Sequence, residues 1–362
     1  MRKIKALLLS IVCAIPLLSF AQADQPLRLG VAGLSHGHLG EVIRRVNRGD
    51  FVITGVSEGN DSLRAKNGLK GKVPDDLFYA DLEEMLDKTK PEAVIVYEPI
   101  ARHLRVVEAC APRGIHVMVE KPLATTEADA RRMAELARKH RIHLLTNYET
   151  TWYASLQETY RMVSQSEIGG ITRINVYDGH RGPFEIGCGK EFTDWLTDPE
   201  LNGGGAVIDF GCYGANLATW FLHGEKPLSV YAVLNKQKPR LYPKVDDDAT
   251  IIVQYPNLTV QIMASWNWPI NRKDMHIYGE KGYIYQDNAT DLRVYVQNKE
   301  SARKSPALKA PYDDPFFYLK AVVRNEIEVG PTDLSSLENN LTVVSILDAA
   351  VRSGKSGSVV KL

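Results

Sequence analysis

The sequence predicts an α/β fold in two parts: an N-terminal parallel sheet with helices on both faces, then an α+β domain built on a large, mostly antiparallel, open-faced sheet. From Leu27 to about Asn147, short apolar runs alternate with helix-period segments, the signature of βαβ units. After Trp152 the pattern changes to longer strands with period-two alternation and hairpin-like turns. The first strand also feeds a glycine-containing turn, Gly33 to Gly40, that leads into a helix.

The expected strands of the first part are Leu27 to Ala32, Phe51 to Ser57, Ala93 to Tyr97, Ile115 to Val119 and Ile142 to Thr146. Helices are expected near Leu39 to Asn47, Asp81 to Lys88, Leu104 to Pro112 and Thr126 to Lys139. Thr125 or Thr126, with Glu127 and Asp129, gives the last of these an N-terminal cap and an acidic first turn. In the second part a helix near Ala154 to Gln165 precedes strands at Thr172 to Tyr177, Leu228 to Val233, Ala249 to Tyr255 and Thr259 to Trp266. Pro256-Asn257 is a turn between the last two, and a helix from about Ser335 to Ser353 should end before Gly354.

Residues 1 to 23 carry Arg2, Lys3 and Lys5, an apolar run from Ala6 to Phe20, and the small-x-small site Ala21-Gln22-Ala23. They read as a Sec-type signal peptide, so the expected location is periplasmic, with domains at 24–147 and 148–362 and no membrane span in the mature chain. The 362 residues balance 44 basic against 44 acidic side chains, leaving no field that would attract nucleic acid. Of four cysteines, Cys13 lies in the leader, and Cys110, Cys188 and Cys212 are too widely spaced for a disulfide framework or a zinc site.

In the glycine turn, Gly33 allows a tight bend and close approach to a pyrophosphate, whereas Ser35 and His38 stand where a strict G-x-G-x-x-G has glycine. Packing of strand on helix alone would also explain such a turn. Glu58 ends the second strand where a carboxylate binds ribose hydroxyls and repels a 2′-phosphate, which favours NAD over NADP; a solvated strand-end glutamate is the competing explanation. His36 and His38 suit phosphate or substrate contact as well as ordinary turn positions, and without a third ligand they give no metal site. Glu120-Lys121-Pro122 closes the apolar run Ile115 to Val119, at the sheet edge where open α/β folds bind ligands.

A strand followed by Pro99 and His103, then Val119-Glu120-Lys121-Pro122, then Gly203-Gly204-Gly205-Ala206 leading to Asp209-Phe210-Gly211-Cys212-Tyr213, resembles the Gfo/Idh/MocA family. Val245 to Asp248, Ser265-Trp266 and Ile277 to Gly282 extend the resemblance over the mature chain. It implies an N-terminal Rossmann domain, a C-terminal sheet that often forms an oligomer interface (a homodimer or homotetramer), and hydride transfer between NAD(P) and a sugar or polyol. Lys121, Asp209 and Tyr213 match the catalytic positions; Pro99, His103, Glu120 and Lys121 fall on the cofactor side. Asn147 and Asn216 fall on the substrate side. His180 and Arg181, in the segment between a strand and the glycine run, suit binding of hydroxyls or a carboxylate on the substrate side as well as ordinary loop positions. Departures include Tyr213 where many members have histidine, Asn216 in place of a common aspartate, and Glu98 before Pro99.

The chemistry has its own logic. Hydride removal from a carbinol builds alkoxide character, so it needs a base for the hydroxyl proton and a positive group near the oxygen. Tyrosine near ~10 and lysine near ~10.4 would each come closer to neutrality if an ammonium lowered the first and burial the second. A single helix from Gly205 would put Asp209, Tyr213, Asn216 and Trp220 on one face. Trp266 and Trp268, two apart, would share a sheet face able to stack on a sugar or to pack against protein. The leading expectation is an exported NAD-dependent sugar or glycoside oxidoreductase with a tightly held, recycled cofactor. Redox-neutral glycoside cleavage through a transient keto-sugar is the alternative, and a sugar-binding protein on a retired fold is the third.

Overall fold

The computed structural model describes residues 25–46, 48–66 and 68–362. The leader read at residues 1 to 23 lies outside them. β1 (Leu27–Ala32), β2 (Phe51–Ser57), β3 (Phe78–Tyr79), β4 (Ala93–Val96), β5 (His116–Glu120) and β6 (Leu144–Asn147) form a six-stranded parallel sheet in the order β3-β2-β1-β4-β5-β6. All four residues of β4 are buried, because helices cover both faces and the strand has no wet side. The chain reverses direction of winding between β1 and β4, and their carboxyl ends make the crevice that such sheets use for ligands.

The second sheet has nine strands. β7 (Ile171–Gly179), β8 (Ser229–Asn235), β9 (Asp248–Gln254), β10 (Thr259–Ser265), β11 (Arg272–Gly279), β12 (Gly282–Gln286), β13 (Asp291–Val296), β14 (Lys299–Lys304) and β15 (Val360–Lys361) run in the order β14-β13-β12-β11-β7-β10-β9-β8-β15. Every pairing is antiparallel except β7 with β10. Helices Gly211–Phe221 and Leu337–Ser356 cover one face, burying Ile174, Val176, Ile262 and Ile277. The other face is open, and there Tyr283 stacks on Tyr285 and Tyr295 at 4.4 and 5.1 Å. Helix Pro315–Val323 returns to the first sheet, where Phe316 and Leu319 pack with Leu27 and Leu29. Among the described residues no helix is long and apolar enough to cross a membrane.

β1 and β2 have the expected bounds, and the Pro256-Asn257 turn joins paired strands, with Tyr255 N–H donating to Leu258 O at 2.9 Å. Two expectations fail for local reasons. The last helix runs through Gly354 to Ser356 and stops at Gly357, whose φ is +67°. Gly354 is an approach residue: a Cβ there would lie 2.4 Å from Leu234 Cγ on β8. The expected single helix after Gly205 is two, Ala206–Asp209 and Gly211–Phe221, broken at Phe210, so Asp209 and Tyr213 do not share a continuous face.

Gly205 fixes the start of this segment. Its N–H and that of Val207 both donate to the Asp246 carboxylate, at 2.8 and 2.7 Å. A Cβ at Gly205 would fall 1.8 Å from the Asp246 backbone oxygen, so the chain must move to admit any side chain. Gly205→Ala is therefore expected to destabilise the protein by about 2 kcal/mol or more. Chemical denaturation checks this, and an unchanged midpoint and slope would contradict the assignment.

Candidate active site

The turn after β1 is built for close approach. Gly33 has φ +82°, and a Cβ there would lie 2.4 Å from Glu98 Cγ. Ser35 at the second signature position keeps the turn closed by donating its hydroxyl to Tyr97 O at 3.4 Å. The Glu58 carboxylate accepts from Leu34 N–H at 3.0 Å and Asn60 N–H at 2.8 Å, which places it beside the turn. A cleft of about 820 Å³ is lined by Leu34, Ser35, His36, Gly37, Asn60 and Lys66, among others. A glycine cradle and a ribose-reaching carboxylate at the carboxyl edge of a parallel sheet fit a dinucleotide. Phe192 and Trp195 pack on this turn, with ring centres 5.1 and 5.5 Å from His36.

His38 and Glu120 join this turn to β5. The His38 Nδ1–H donates to Glu120 Oε2 at 2.8 Å, while Asn147 Nδ2 donates to Oε1 at 2.9 Å. Burial opposes ionisation of Glu120, but the charge and hydrogen bond of His38 outweigh it and bring the carboxyl from 4.5 to about 2. Burial likewise opposes charge on His38, yet Glu120 raises its pKa above 6.5. His36 is held well below 6.5 by burial, and its Nδ1 accepts the His38 N–H at 3.1 Å. His36, His38 and Glu120 place potential ligand atoms within 4.8 Å of one another. Glu120 is thus the third potential ligand that the sequence did not offer; in this arrangement Nδ1 of His36 accepts the His38 backbone N–H, so its Nε2 carries the proton, and the Glu120 oxygens accept from His38 and Asn147.

Lys121 leaves the end of β5 and crosses to the second domain. Its ammonium donates to Asp209 Oδ1 at 2.5 Å and Asp209 O at 2.8 Å, with both side chains buried. Trp266 Nε1 donates to the other carboxylate oxygen at 2.9 Å. Burial disfavours the ammonium, but the Asp209 charge prevails and holds Lys121 above 10.5; Asp209 in turn stays below 3.8 against its own burial. Tyr213 is fully buried, and burial pushes its pKa well above 10.0, with Glu149 adding to the effect. The expectation that both groups move toward neutrality is thus overturned. The ion pair dominates at Lys121, and desolvation with nearby carboxylates dominates at Tyr213.

The sequence missed a second lysine. Lys273 on β11 pairs with Glu149, which also accepts from Tyr153 OH at 2.6 Å. The Lys121 and Lys273 ammonium groups each lie 5.2 Å from the centre of the Tyr213 ring. Lys273, Glu149, Tyr153, His180 and Phe210 line a second cleft of about 570 Å³. Nothing local marks Lys273 in the sequence; only the β7–β11 register, which sets it opposite Asp178, brings it here.

The other expected site residues divide between packed positions and the second cleft. His103 has no exposed surface; its ring donates Nδ1–H to Leu123 O at 3.0 Å and supports the turn after Lys121 instead of reaching the cofactor cleft. Asn216, expected on the substrate side, is also fully buried and donates to Leu334 O and Asn339 Oδ1, because the break at Phe210 turns it toward the last helix. Pro99 is buried at the start of the turn Ile100–Arg102. Asn147 is buried between Glu120 and Trp152. His180 faces the second cleft; Arg181 is exposed. Trp266 is buried against Asp209, and Trp268 stacks 4.4 Å from Arg272, so the pair forms no open sugar platform.

The His38–Glu120 pair gives a signed pH dependence. Glu120, with its pKa lowered, contributes stability above 4.5 and loses it as pH falls toward about 2. His38, with its pKa raised, contributes fully below 6.5 and loses its contribution as pH rises through its folded pKa. The unfolding free-energy difference between the native protein and Glu120→Gln should therefore peak between these limits and shrink on both sides. A pH-independent difference would contradict the pairing.

Comparison with known proteins agrees with this geometry. Residues 27–148 match the model described as the oxidoreductase family, NAD-binding Rossmann fold, and residues 156–285 match the GFO/IDH/MocA C-terminal domain. Myo-inositol 2-dehydrogenase of Thermotoga maritima is 24% identical over 88% of this chain and 93% of its own. D-glucoside 3-dehydrogenase of Escherichia coli is 24% identical over 94% and 99%. The fold is shared with the aldose-aldose oxidoreductase of Caulobacter crescentus crystallised with glycerol, at TM-score 0.79, 23% identity and coverage of 93% and 100%. An NAD+ complex of an inositol dehydrogenase homolog from Azotobacter vinelandii also gives 0.79, at 16% identity over 93% and 98%. With both matched regions in one chain and the cradle, strand-end lysine and aspartate in register, this protein belongs to the Gfo/Idh/MocA family of NAD-binding oxidoreductases.

Proposed function

We propose that this protein is an exported NAD-dependent oxidoreductase that moves a hydride between nicotinamide and a carbinol or ketone of a sugar or glycoside, and that it keeps its cofactor between turnovers. The observation that carries the reading is the buried Lys121–Asp209 pair, which joins the edge of the dinucleotide sheet to the wall of the second cleft. The inositol and glucoside dehydrogenases among the relatives support a polyhydroxylated substrate. Bound NAD supplies the hydride acceptor or donor. Gly33 and Ser35 would cradle it and Glu58 would hold a ribose.

Lys121 meets the reacting oxygen and carries its proton: the ammonium gives that proton when a ketone is reduced, and in the reverse direction the unprotonated amine takes the hydroxyl proton when a carbinol is oxidised. Asp209 and Trp266 fix the direction of that ammonium. Tyr213 acts as a neutral phenol beside it, suited to donate a hydrogen bond and ill suited to serve as a resting base. Retention of the cofactor is supported by Phe192 and Trp195, which lie over the phosphate-side turn. Export rests on the sequence of residues 1 to 23, and periplasmic placement makes a retained cofactor useful, because free nicotinamide is scarce there. Glycoside cleavage through a transient ketone is the runner-up, favoured by the second lysine–carboxylate pair, Lys273–Glu149, beside the same tyrosine.

Native mass analysis of the purified protein should find NAD bound, and added glycosides should reduce it, seen as new nicotinamide absorbance. Lys121→Met should keep the cofactor and lose about 100-fold or more of the reduction rate. Protein that arrives empty and binds NAD no better than millimolar would defeat the retained-cofactor proposal. Release of an aglycone with no net reduction would favour cleavage.

A further inference from the structure

Glu149 is a charged group that hydride transfer does not use. It follows β6 directly and so stands at the carboxyl edge of the dinucleotide sheet, yet its ion-pair partner, Lys273, comes from β11 of the other domain. Tyr153 OH binds its Oε1 at 2.6 Å, and the Lys273 ammonium binds Oε2. These contacts, the charge of Lys273 foremost among them, outweigh burial and keep Glu149 below 4.5, hence ionised. The carboxylate remains partly open, 41% exposed, on the wall of the second cleft, whereas the Lys121 and Asp209 side chains are only 7% and 6% exposed.

Two lysine–carboxylate pairs therefore border one tyrosine ring, each with its ammonium 5.2 Å from the ring centre. One pair serves the oxygen on the carbon that is oxidised or reduced. The other lines the second cleft. Resting on the oxidoreductase reading above, we propose that Glu149 with Lys273 is a second proton-transfer unit that enolises the keto-sugar held in the second cleft. Glu149 takes the proton from the carbon next to the carbonyl. The electron pair of that C–H bond forms the carbon–carbon double bond, and the carbonyl π electrons move onto oxygen, where Lys121 and the Tyr213 phenol receive the negative charge. Reversal returns a proton to the carbon; in deuterium oxide it returns a deuteron, because the exposed carboxylate exchanges with solvent. No electrons leave the sugar, so the step needs no additional oxidant.

The test uses the holoenzyme in deuterium oxide with methyl 3-ketoglucoside, following deuterium at the carbons flanking the ketone by NMR, while a parallel assay measures NADH-dependent reduction of the same ketone. The native protein should introduce deuterium well above the buffer rate. Glu149→Gln should lower exchange by about 100-fold and reduction by less than about tenfold, and Lys273→Met should lower exchange more than reduction. Reduction without exchange by the native protein, or undiminished exchange by both variants, would overturn the enolisation proposal alone. Failure of the native protein to reduce the ketone would overturn the oxidoreductase reading beneath it.

Discussion

The buried ion pair between Lys121 and Asp209 is the contact on which the site depends. It joins the end of a parallel strand to a helical segment of the second domain. Such a pair is expensive to bury, and removing one partner from a buried pair costs about 3–5 kcal/mol because the other charge is left unmatched. Here the cost is offset by further hydrogen bonds. The Asp209 backbone oxygen also accepts from the ammonium, and the Trp266 indole takes the carboxylate's second oxygen. The backbone leading to Asp209 is anchored one turn earlier by Asp246, which accepts the N–H groups of Gly205 and Val207.

The groups around this pair hold fixed protonation states, each for its own local reason. Lys121 is committed to the ammonium form, Tyr213 to the neutral phenol, and Glu120 to the carboxylate that fixes His38 over the glycine turn. The arrangement is preorganised to receive negative charge on a substrate oxygen, with no reorientation required as that charge develops. Under the proposed reading a tyrosine can stand at the position the resemblance gives to histidine, because a hydrogen-bond donor suffices there and burial keeps the phenol protonated.

Local sequence made the first sheet legible because its strands are largely buried and appear as short, mainly apolar runs, so β1 and β2 could be bounded to the residue although Arg28 and Val52 within them are exposed. Gly33, Glu58 and Lys121 were legible for a related reason: each follows a strand of that sheet, where position follows from the element, whereas Asp209 ends a short helix and was read from the resemblance alone. β11 to β14 were harder to read, since their half-wet faces carry mixed polar and aromatic residues. Lys273 was hidden with them, because its place depends on strand register across many residues. Asn216 and His103 misled for a different reason. Their spacing suited a site, but the break at Phe210 and the depth of the turn after Lys121 sent both into packing.

The central claim is that Asp209 holds Lys121 as an ammonium, and the pH dependence of carbinol oxidation measures it most directly. Oxidation requires the unprotonated amine, so kcat/KM should rise by about tenfold per pH unit between about pH 6 and 9 with no plateau, while ketone reduction stays flat. Asp209→Asn should bring the plateau of the oxidation profile to lower pH, because burial would then lower the lysine pKa with no carboxylate to oppose it. An oxidation profile that is already level at neutral pH, or one whose break does not move in Asp209→Asn, would contradict the account.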